Sequence, residues 1–221
     1  IDVSLVGSEM CIRDSNIDTH ILIGNHDTYF KNTNDVNALQ NLNINKGAKI
    51  YTRPVDVNFD GLDILFLPWI CDDNHSDSIY AIDNSTSVIA MGHLEIKGFE
   101  MHKGHFNEQG LEKSQFTKFE RVISGHFHKK SDDGRIYYLG TQYEITWSDY
   151  KCPKGFHIFD TQTRELERVP NPYRMYKKFY YNDKDEDYTN KDLSTFNNSY
   201  VKIFVSNKTD EDMYNNLIEK F

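Results

Sequence analysis

The stretch Gly24-Asn25-His26-Asp27 follows residues 21–23, an Ile-Leu-Ile run that is typical of a buried strand. A glycine at the end of a strand allows a sharp turn, because it has no Cβ atom. The amide, imidazole and carboxylate that follow do not help to bury a strand, but each can bind a metal, move a proton or orient a neighbour. The stretch therefore predicts a functional turn at a strand end, with a plain Asx-type turn as the alternative.

The same order of strand, glycine and ligand-capable residue occurs twice more. Gly92-His93 follows residues 88–91, and Gly125-His126-Phe127-His128 follows residues 122–124. Residues i and i+2 of an extended segment point to the same side, so His126 and His128 are expected to face one point, as metal-binding imidazoles do. Exposed loop histidines are the alternative, but three similar strand ends in one chain favour a metal site.

The turn at residues 24–27 also has the groups needed for hydrolysis. The amide oxygen of Asn25 suits a hard ion such as Mn²⁺ or Mg²⁺. His26 is a candidate to protonate an oxygen leaving group, and Asp27 is a candidate to hold its tautomer. We expect Trp69 and Trp147 to be packing residues.

The composition limits the classes of function. The chain has 221 residues and a formal net charge of −9, so a broad non-specific surface for polyanions is not expected, although a local metal-assisted nucleic-acid site is compatible with it. No run approaches the roughly 20 apolar residues that a membrane span needs. The three cysteines are far apart, which predicts neither a disulfide framework nor a cysteine zinc site and fits a reducing compartment.

The hydrophobic pattern predicts an α/β fold. Strands are expected at residues 19–23, 49–52, 55–59, 62–67, 86–91, 121–124, 135–139, 155–160, 165–169 and 200–205. Helices are expected at residues 33–42, 75–83 and from 209 onward, and residues 94–118 are expected to form a long loop. This order indicates a layered α/β sandwich built on a mixed sheet. We predict an atypical leader at 1–15, a main domain at 16–170 and a small α+β domain at 171–221.

The three motifs, in this order, resemble those of the calcineurin-like metallophosphoesterases. Further segments resemble the SbcD-type nuclease subunits of DNA double-strand-break repair and recombination in their T-even phage form. These segments are Asp56-Val57-Asn58-Phe59-Asp60-Gly61, Leu67-Pro68-Trp69, residues 92–99 and Tyr138-Leu139-Gly140-Thr141.

The resemblance implies a two-metal phosphodiesterase, usually dependent on Mn²⁺, with Mg²⁺ possible. It implies that Asn25, His93 and His126 bind one ion, that His128 binds the other and that His26 assists the leaving group. It also implies a metallophosphoesterase sandwich with the start of a DNA-contacting cap domain at 171–221. The implied partners are DNA, an SbcC-type SMC-like ATPase subunit and, as a further candidate, a second copy of the chain, in a bacterial or phage-infected cytoplasm without membrane attachment.

One departure from the family is large. The family has an Asp-x-His motif and a Gly-Asp-x-x-Asp motif upstream of the position of Asn25, and this sequence has neither. We therefore expect an N-terminally truncated nuclease, lacking two core strands, with little or no activity of its own. Two alternatives stay open: a phosphoesterase that acts on a nucleotide or small phosphate ester, and a non-catalytic remnant that binds metal or a partner.

Overall fold

The computed structural model describes residues 17–41, 48–102 and 104–221. The predicted leader at 1–15 lies outside these residues. The chain divides into two compact units. The N-terminal unit contains the described residues up to Gly140 together with His157–Arg168, and the C-terminal unit contains Thr141–Phe156 and Val169–Phe221. The assignment of 171–221 as the start of a cap domain stays a prediction.

The N-terminal unit is built on a mixed six-stranded sheet, preceded by a separate parallel pair of strands. The strands of this unit are β1 (Thr19–Leu22), β2 (Ala48–Tyr51), β3 (Val55–Phe59), β4 (Leu62–Leu67), β5 (Ile89–Gly92), β6 (Glu100–His102), β7 (His105–Phe106), β8 (Arg121–Ser124), β9 (Ser131–Asp132) and β10 (Ile136–Tyr138). The sheet has the order β3-β4-β5-β8-β10-β9, and the separate pair is β1-β2. Strands β4, β5, β8 and β10 are parallel, whereas β3 and β9 are antiparallel at the two edges.

Strand β4 separates two apolar layers. Leu65 and Leu67 belong to the larger cluster, which also contains Ile82, Phe116 and Tyr138. The alternate residues Leu62, Ile64 and Phe66 belong to a second cluster with Ile89. Because successive side chains of a strand point to opposite faces, this division puts a core on each face of the sheet. The predicted α/β class with a mixed sheet is confirmed.

The β3–β4 hairpin forms as predicted. Asp60 and Gly61 both have positive φ angles, of 51° and 91°. A two-residue turn of this kind matches the twist of the flanking strands, and Asp-Gly adopts it at low cost. Helix α1 (His75–Asn84) also agrees with the prediction and packs Ile82 into the larger core cluster.

The predicted helix at 33–42 is wrong. Only a short 3₁₀ helix, Ala38–Asn41, is present in the described part of this segment, and Leu42 lies outside the described residues. Asn34 does not cap a helix, since its side-chain amide donates to the carbonyl oxygen of Trp69 at 2.7 Å. Asn37 likewise donates to the carbonyl of Asn34. These side-chain bonds to the backbone compete with helix formation.

Residues 94–118 are more ordered than the long loop that we predicted. Leu94, Ile96, Phe99 and Phe116 are buried in the larger core cluster. Short strands β6 and β7 pair within this segment, and a 3₁₀ helix covers Lys113–Phe116. The apolar residues occur singly among polar ones, so no strand or helix period reveals them.

The hairpin predicted at 155–169 is present as β11 (Gly155–Phe159) and β12 (Leu166–Pro170).

The C-terminal unit has a parallel pair, β13 (Tyr176–Asn182) and β14 (Tyr200–Asn207), and helix α2 (Glu211–Ile218). Its core contains Phe179, Tyr181, Tyr188, Leu193 and Leu217. Asp210 is the N-cap of α2, and its carboxylate accepts from Met213 N, so the helix begins at Glu211 within the segment predicted from 209 onward. Within the described residues, no helix is both long and apolar enough to span a bilayer.

Candidate metal-binding site

Backbone hydrogen bonds align the strand ends that carry the three motifs. Trp69 N donates to Ile23 O at 2.7 Å, His93 N to Leu67 O at 3.0 Å and Gly125 N to Gly92 O at 2.9 Å. The carboxyl ends of β1, β4, β5 and β8 are thereby held side by side. Ligands in open α/β sheets bind at such carboxyl ends, so the motifs lie at the edge where a site is expected.

Three of the predicted site residues meet at this edge. His93 Nε2 lies 2.8 Å from Asn25 Oδ1, and His126 Nδ1 lies 3.2 Å from His93 Nε2. One oxygen donor and two nitrogen donors therefore face a common point, although His93 comes 68 positions after Asn25 and His126 comes 33 positions after His93.

The turn at residues 24–27 is shaped around His93. A Cβ atom on Gly24 would lie 2.8 Å from His93 Cε1, so only glycine lets the imidazole pack against this backbone. The Gly24 N–H donates to the Asp27 carboxylate at 2.8 Å, and Asp27 N donates back to Gly24 O. Asp27 thus closes a β-turn from Gly24 to Asp27, and this turn also presents Asn25. The side-chain bond runs from Asp27 back to Gly24, so the segment is not the Asx-type turn given as the alternative.

His126 has an unusual backbone. Its φ angle is +78°, and Phe127 N donates to Gly125 O around it at 3.1 Å, which makes a strained γ-turn with His126 at its centre. The expectation that residues 126–128 are extended is therefore wrong. Phe127 is buried and stacks on Tyr138 at a centroid distance of 4.4 Å, and this packing anchors the turn.

Burial and neighbouring imidazoles keep the two central histidines neutral at pH 7. Burial, followed by the nearby His126 and His26, lowers the pKa of His93 to about 4. Burial, followed by His26 and His128, also lowers the pKa of His126. Neutral imidazoles have the free lone pair that metal coordination requires.

His26 and His128 flank the three converging residues. His26 is exposed on the turn, and its imidazole is close enough to influence the pKa of both His93 and His126. His128 is half-buried and influences the pKa of His126. Across residues 17–41, 48–102 and 104–221, no group of three or more His, Cys, Asp or Glu side chains is arranged to hold a metal.

The donor set fits one hard or borderline ion. Adjacent ligands about 2.1 Å from an octahedral ion lie about 3.0 Å apart, and the two separations here, 2.8 and 3.2 Å, bracket that value. All three donors are neutral, so they would hold a cation weakly. For a second ion, His128 is the only predicted ligand, and the described residues do not form a complete site for it.

Trp69 lies at this site, although we predict a packing residue from the sequence. Its ring lies 5.2 Å from that of His126 and 6.2 Å from that of His93. The side chains of Asn34 and Asn74 both donate to its carbonyl oxygen and so fix the segment. It lies two residues after the end of β4, as His93 lies one residue after the end of β5, so its place at a strand end was a signal available in the sequence.

The similarity of this chain to a known protein is an observation separate from this geometry. No protein-family model matches the chain. The chain is 34% identical over 194 residues to Exonuclease subunit 1 of Enterobacteria phage T4, an alignment that covers 87% of this chain and 56% of that protein. The chain therefore spans about half of the length of the curated relative that it matches. This sequence identity confirms the resemblance to phage nuclease subunits that the motifs predicted.

Proposed function

Because this chain is a homologue of a phage exonuclease subunit, we propose that it carries part of the active site of a metal-dependent phosphodiesterase that cleaves DNA during recombination and repair. The observation that carries the proposal is the convergence of Asn25, His93 and His126 at one edge of the sheet. The calcineurin-like layered sandwich and the preference for Mn²⁺ are parts of the same proposal and rest on the motif resemblance.

The residues present would bind one ion through Asn25 Oδ1, His93 Nε2 and His126 Nδ1. Such an ion, when bound, supplies a Lewis acid that stabilises negative charge on a phosphoryl oxygen. His93 and His126 contribute neutral lone pairs, because burial lowers the pKa of both. Trp69 packs beside these two rings and limits their movement, so that the donors are held in place before an ion arrives.

His26 is proposed as the proton donor to the leaving oxygen. It is exposed, lies on the turn that presents Asn25, and is near the two central imidazoles. An imidazole in this position can give a proton to an alkoxide as the phosphodiester bond breaks. His128 is proposed as a ligand of a second ion, on the motif resemblance alone.

A second candidate function is metal binding without turnover by this chain alone. The observation that favours it is the lack of a carboxylate among the converging donors of the described residues. Neutral ligands lower the affinity for divalent cations, and a site with one incomplete half cannot stabilise both the attacking and the leaving oxygen. We expect little or no hydrolysis from the chain as it stands.

The proposed partners follow from the name of the relative and from the motifs. The T4 relative is called a subunit of an exonuclease. We therefore propose that this chain acts within a multi-subunit nuclease on DNA, with an SbcC-type SMC-like ATPase as the other subunit and with a second copy of the chain as a further candidate partner.

Metal binding is the first test. Titration of the purified chain with Mn²⁺, followed by electron paramagnetic resonance of the free ion, should show one weak site. His93→Ala and His126→Ala should each weaken binding at least tenfold, whereas His105→Ala, at an exposed histidine on β7, should leave it unchanged. Asn25→Asp should strengthen binding, because it adds a negative charge at the converging point. Equal Mn²⁺ affinity in all variants would contradict the proposed site.

Hydrolysis is the second test. Cleavage of labelled duplex DNA and of a chromogenic phosphodiester should be compared with Mn²⁺ present. Activity on DNA alone that disappears in His126→Ala supports the nuclease, and activity on the small ester alone supports a different phosphoesterase. Metal binding with neither activity supports the second candidate function.

A further inference from the structure

The outer face of the β13–β14 sheet has an ordered set of side chains that the proposed active site does not use. The register of the parallel pair places Tyr176 opposite Tyr200, Lys178 opposite Lys202 and Tyr180 opposite Phe204. Alternate residues of a strand share a face, so these six side chains form two aromatic rows with a lysine row between them. We call this set the aromatic platform.

The rings of each row are stacked on one another. The centroids of Tyr176 and Tyr200 are 5.6 Å apart with an interplanar angle of 29°, and those of Tyr180 and Phe204 are 5.2 Å apart at 18°. The two rows are about 13 Å apart along the strands, at about 3.3 Å per residue. Tyr180 and Tyr200 are 66% and 63% exposed, so their ring faces are available to a ligand.

Core formation does not account for this face. The intervening residues of β13, Phe179 and Tyr181, are buried, and Val201 and Ile203 of β14 pack against the same core. That opposite face supplies the apolar burial that holds the sheet. A contiguous exposed aromatic patch marks an interaction site more often than single scattered side chains do, which favours a binding role for the platform.

A neighbouring segment extends the platform. Trp147 lies 4.7 Å from Tyr176, and Tyr150 lies beneath the Lys178 ammonium at 4.4 Å. Glu144 holds this segment in place, because its buried carboxylate accepts from the N–H groups of Met175 and Tyr176 at 2.9 and 3.0 Å. Two further rings are therefore fixed beside the first aromatic row.

The charge of the platform is opposite to that of the chain. The segments Tyr176–Asn182 and Tyr200–Asn207 contain three lysines and no acidic residue, although the chain has a net charge of −9. Lys178 and Lys202 lie over aromatic rings, at 5.4 and 5.6 Å from the centroid of Phe204. A cleft of about 370 Å³ shares Tyr150, Tyr176 and Lys178 with the platform. Its other lining residues are Glu144, Lys151, Arg174, Lys177, Thr195 and Phe196.

We propose that the aromatic platform binds single-stranded DNA by stacking bases on its exposed rings and by placing phosphates near the lysine row. Interleaved aromatic and basic side chains on a β-sheet face are suited to this ligand. Every base has a π-face that can stack on a ring, and every phosphodiester linkage has a negative charge that a lysine can contact. A duplex keeps its bases stacked on each other and cannot use the rings. The choice of DNA rests on the proposed function, which supplies a strand-processing activity.

The test measures binding of a fluorescent oligo-dT of about twelve nucleotides by anisotropy, in EDTA so that the metal site takes no part. Tyr180→Ala and Tyr200→Ala should each weaken binding by roughly 5- to 150-fold. Lys202→Gln should weaken binding and should also reduce the salt dependence, lowering the slope of log affinity against log salt by about 0.7.

Matched controls separate the platform from general effects. Tyr80→Ala changes a 70% exposed tyrosine on α1, and Lys118→Gln changes a lysine that also lies over a ring, 5.1 Å from the centroid of Phe119. Both should bind oligo-dT as the unmodified chain does. His126→Ala should also bind normally, so that loss of the proposed metal site and loss of the platform are distinguishable. Circular dichroism checks that each variant folds.

The outcomes decide the proposal. Weaker binding in the platform variants alone, with duplex DNA of the same length binding less tightly, supports it. No binding of oligo-dT, equal binding of duplex, or equal losses in Tyr80→Ala and Tyr180→Ala would each overturn it. An oligo-U probe of the same length shows whether the preference is for DNA, and tighter binding of oligo-U would also overturn the proposal as stated.

Discussion

His93 Nε2 lies 2.8 Å from Asn25 Oδ1, although the two residues are 68 positions apart in the chain. The contact exists because Gly24 leaves room for the imidazole and because the end of β1 is bonded to Trp69, next to the strand that carries His93. The position of His93 therefore depends on the backbone of another strand end, which can be changed without removing any donor atom.

Replacement of Gly24 by alanine tests this dependence. The added Cβ would approach His93 Cε1 to 2.8 Å, so the ring must move away from Asn25. We expect Mn²⁺ affinity to fall about tenfold, since loss of ligand positioning typically costs 10- to 100-fold. The control is a double-mutant cycle with His93→Ala. Once the imidazole is absent, Gly24→Ala should have no further effect, and purely additive losses would contradict the argument.

The tyrosine beneath the γ-turn should matter for stability. Tyr138 is buried; its hydroxyl accepts from Ile96 N and donates to Leu94 O, both at 3.0 Å, and burial raises its pKa. Tyr138→Phe leaves those two backbone groups buried without this partner. We expect the free energy of unfolding, measured with urea, to fall by about 1–3 kcal/mol.

The adjacent residue supplies a matched control for that change. Tyr137 donates its hydroxyl to Gly134 O at an exposed position. Tyr137→Phe should change the free energy of unfolding by less than about 0.5 kcal/mol, because water replaces the lost bond. Equal effects of the two substitutions would show that the buried hydroxyl of Tyr138 has no special role.

The pattern of strand, glycine and ligand-capable residue predicted that the three strand ends contribute to one site, and the grouping of Asn25, His93 and His126 came from the family resemblance. The pattern worked because a glycine followed by a histidine at the end of a buried strand adds nothing to the apolar core, and because parallel strands bring their ends to one edge. Local backbone geometry was not predictable in the same way. The γ-turn at His126 depends on Phe127 packing against Tyr138, a contact that the local sequence does not reveal.

Two other differences also have physical causes. The predicted helix at 33–42 is absent because Asn34 and Asn37 bond to backbone carbonyls. Strand β13 was not predicted because tyrosine occurs on both of its faces. Tyr180 is exposed and Tyr181 is buried, so the apolar alternation that identifies a strand is hidden.

The buried pair Asp149–Lys154 predicts a pH dependence. Lys154 Nζ lies 2.7 Å from Asp149 Oδ1 and is fully buried. Burial alone would raise the pKa of Asp149, but hydrogen bonds from Lys154 and from the N–H groups of Thr146 and Ile145 outweigh it and lower the pKa. A carboxyl with a lowered folded-state pKa stabilises the protein above its unfolded pKa, and this contribution is lost as the pH falls below about 4.

Lys154→Met removes one partner of this pair. We expect a loss of about 3–5 kcal/mol at pH 7, because the carboxylate stays buried without its cation. The difference from the unmodified chain should shrink at acid pH, because a protonated Asp149 no longer needs its cation. Urea unfolding between pH 7 and pH 3 measures it. Lys130→Met, which breaks an exposed pair with Asp132, should cost less than about 1 kcal/mol and is the control.

Glu144 is 1% exposed, and its carboxylate accepts from the N–H groups of Met175 and Tyr176. Glu144→Ala should release the segment that carries Trp147 from the start of β13, because two backbone donors lose their acceptor. In a Trp69→Phe background, Trp147 emission should shift to longer wavelength as the ring leaves Tyr176. Glu186→Ala, at an exposed ion pair with Lys191, should leave the emission unchanged. If Glu144→Ala also left it unchanged, Glu144 would not be what positions Trp147 beside the aromatic platform.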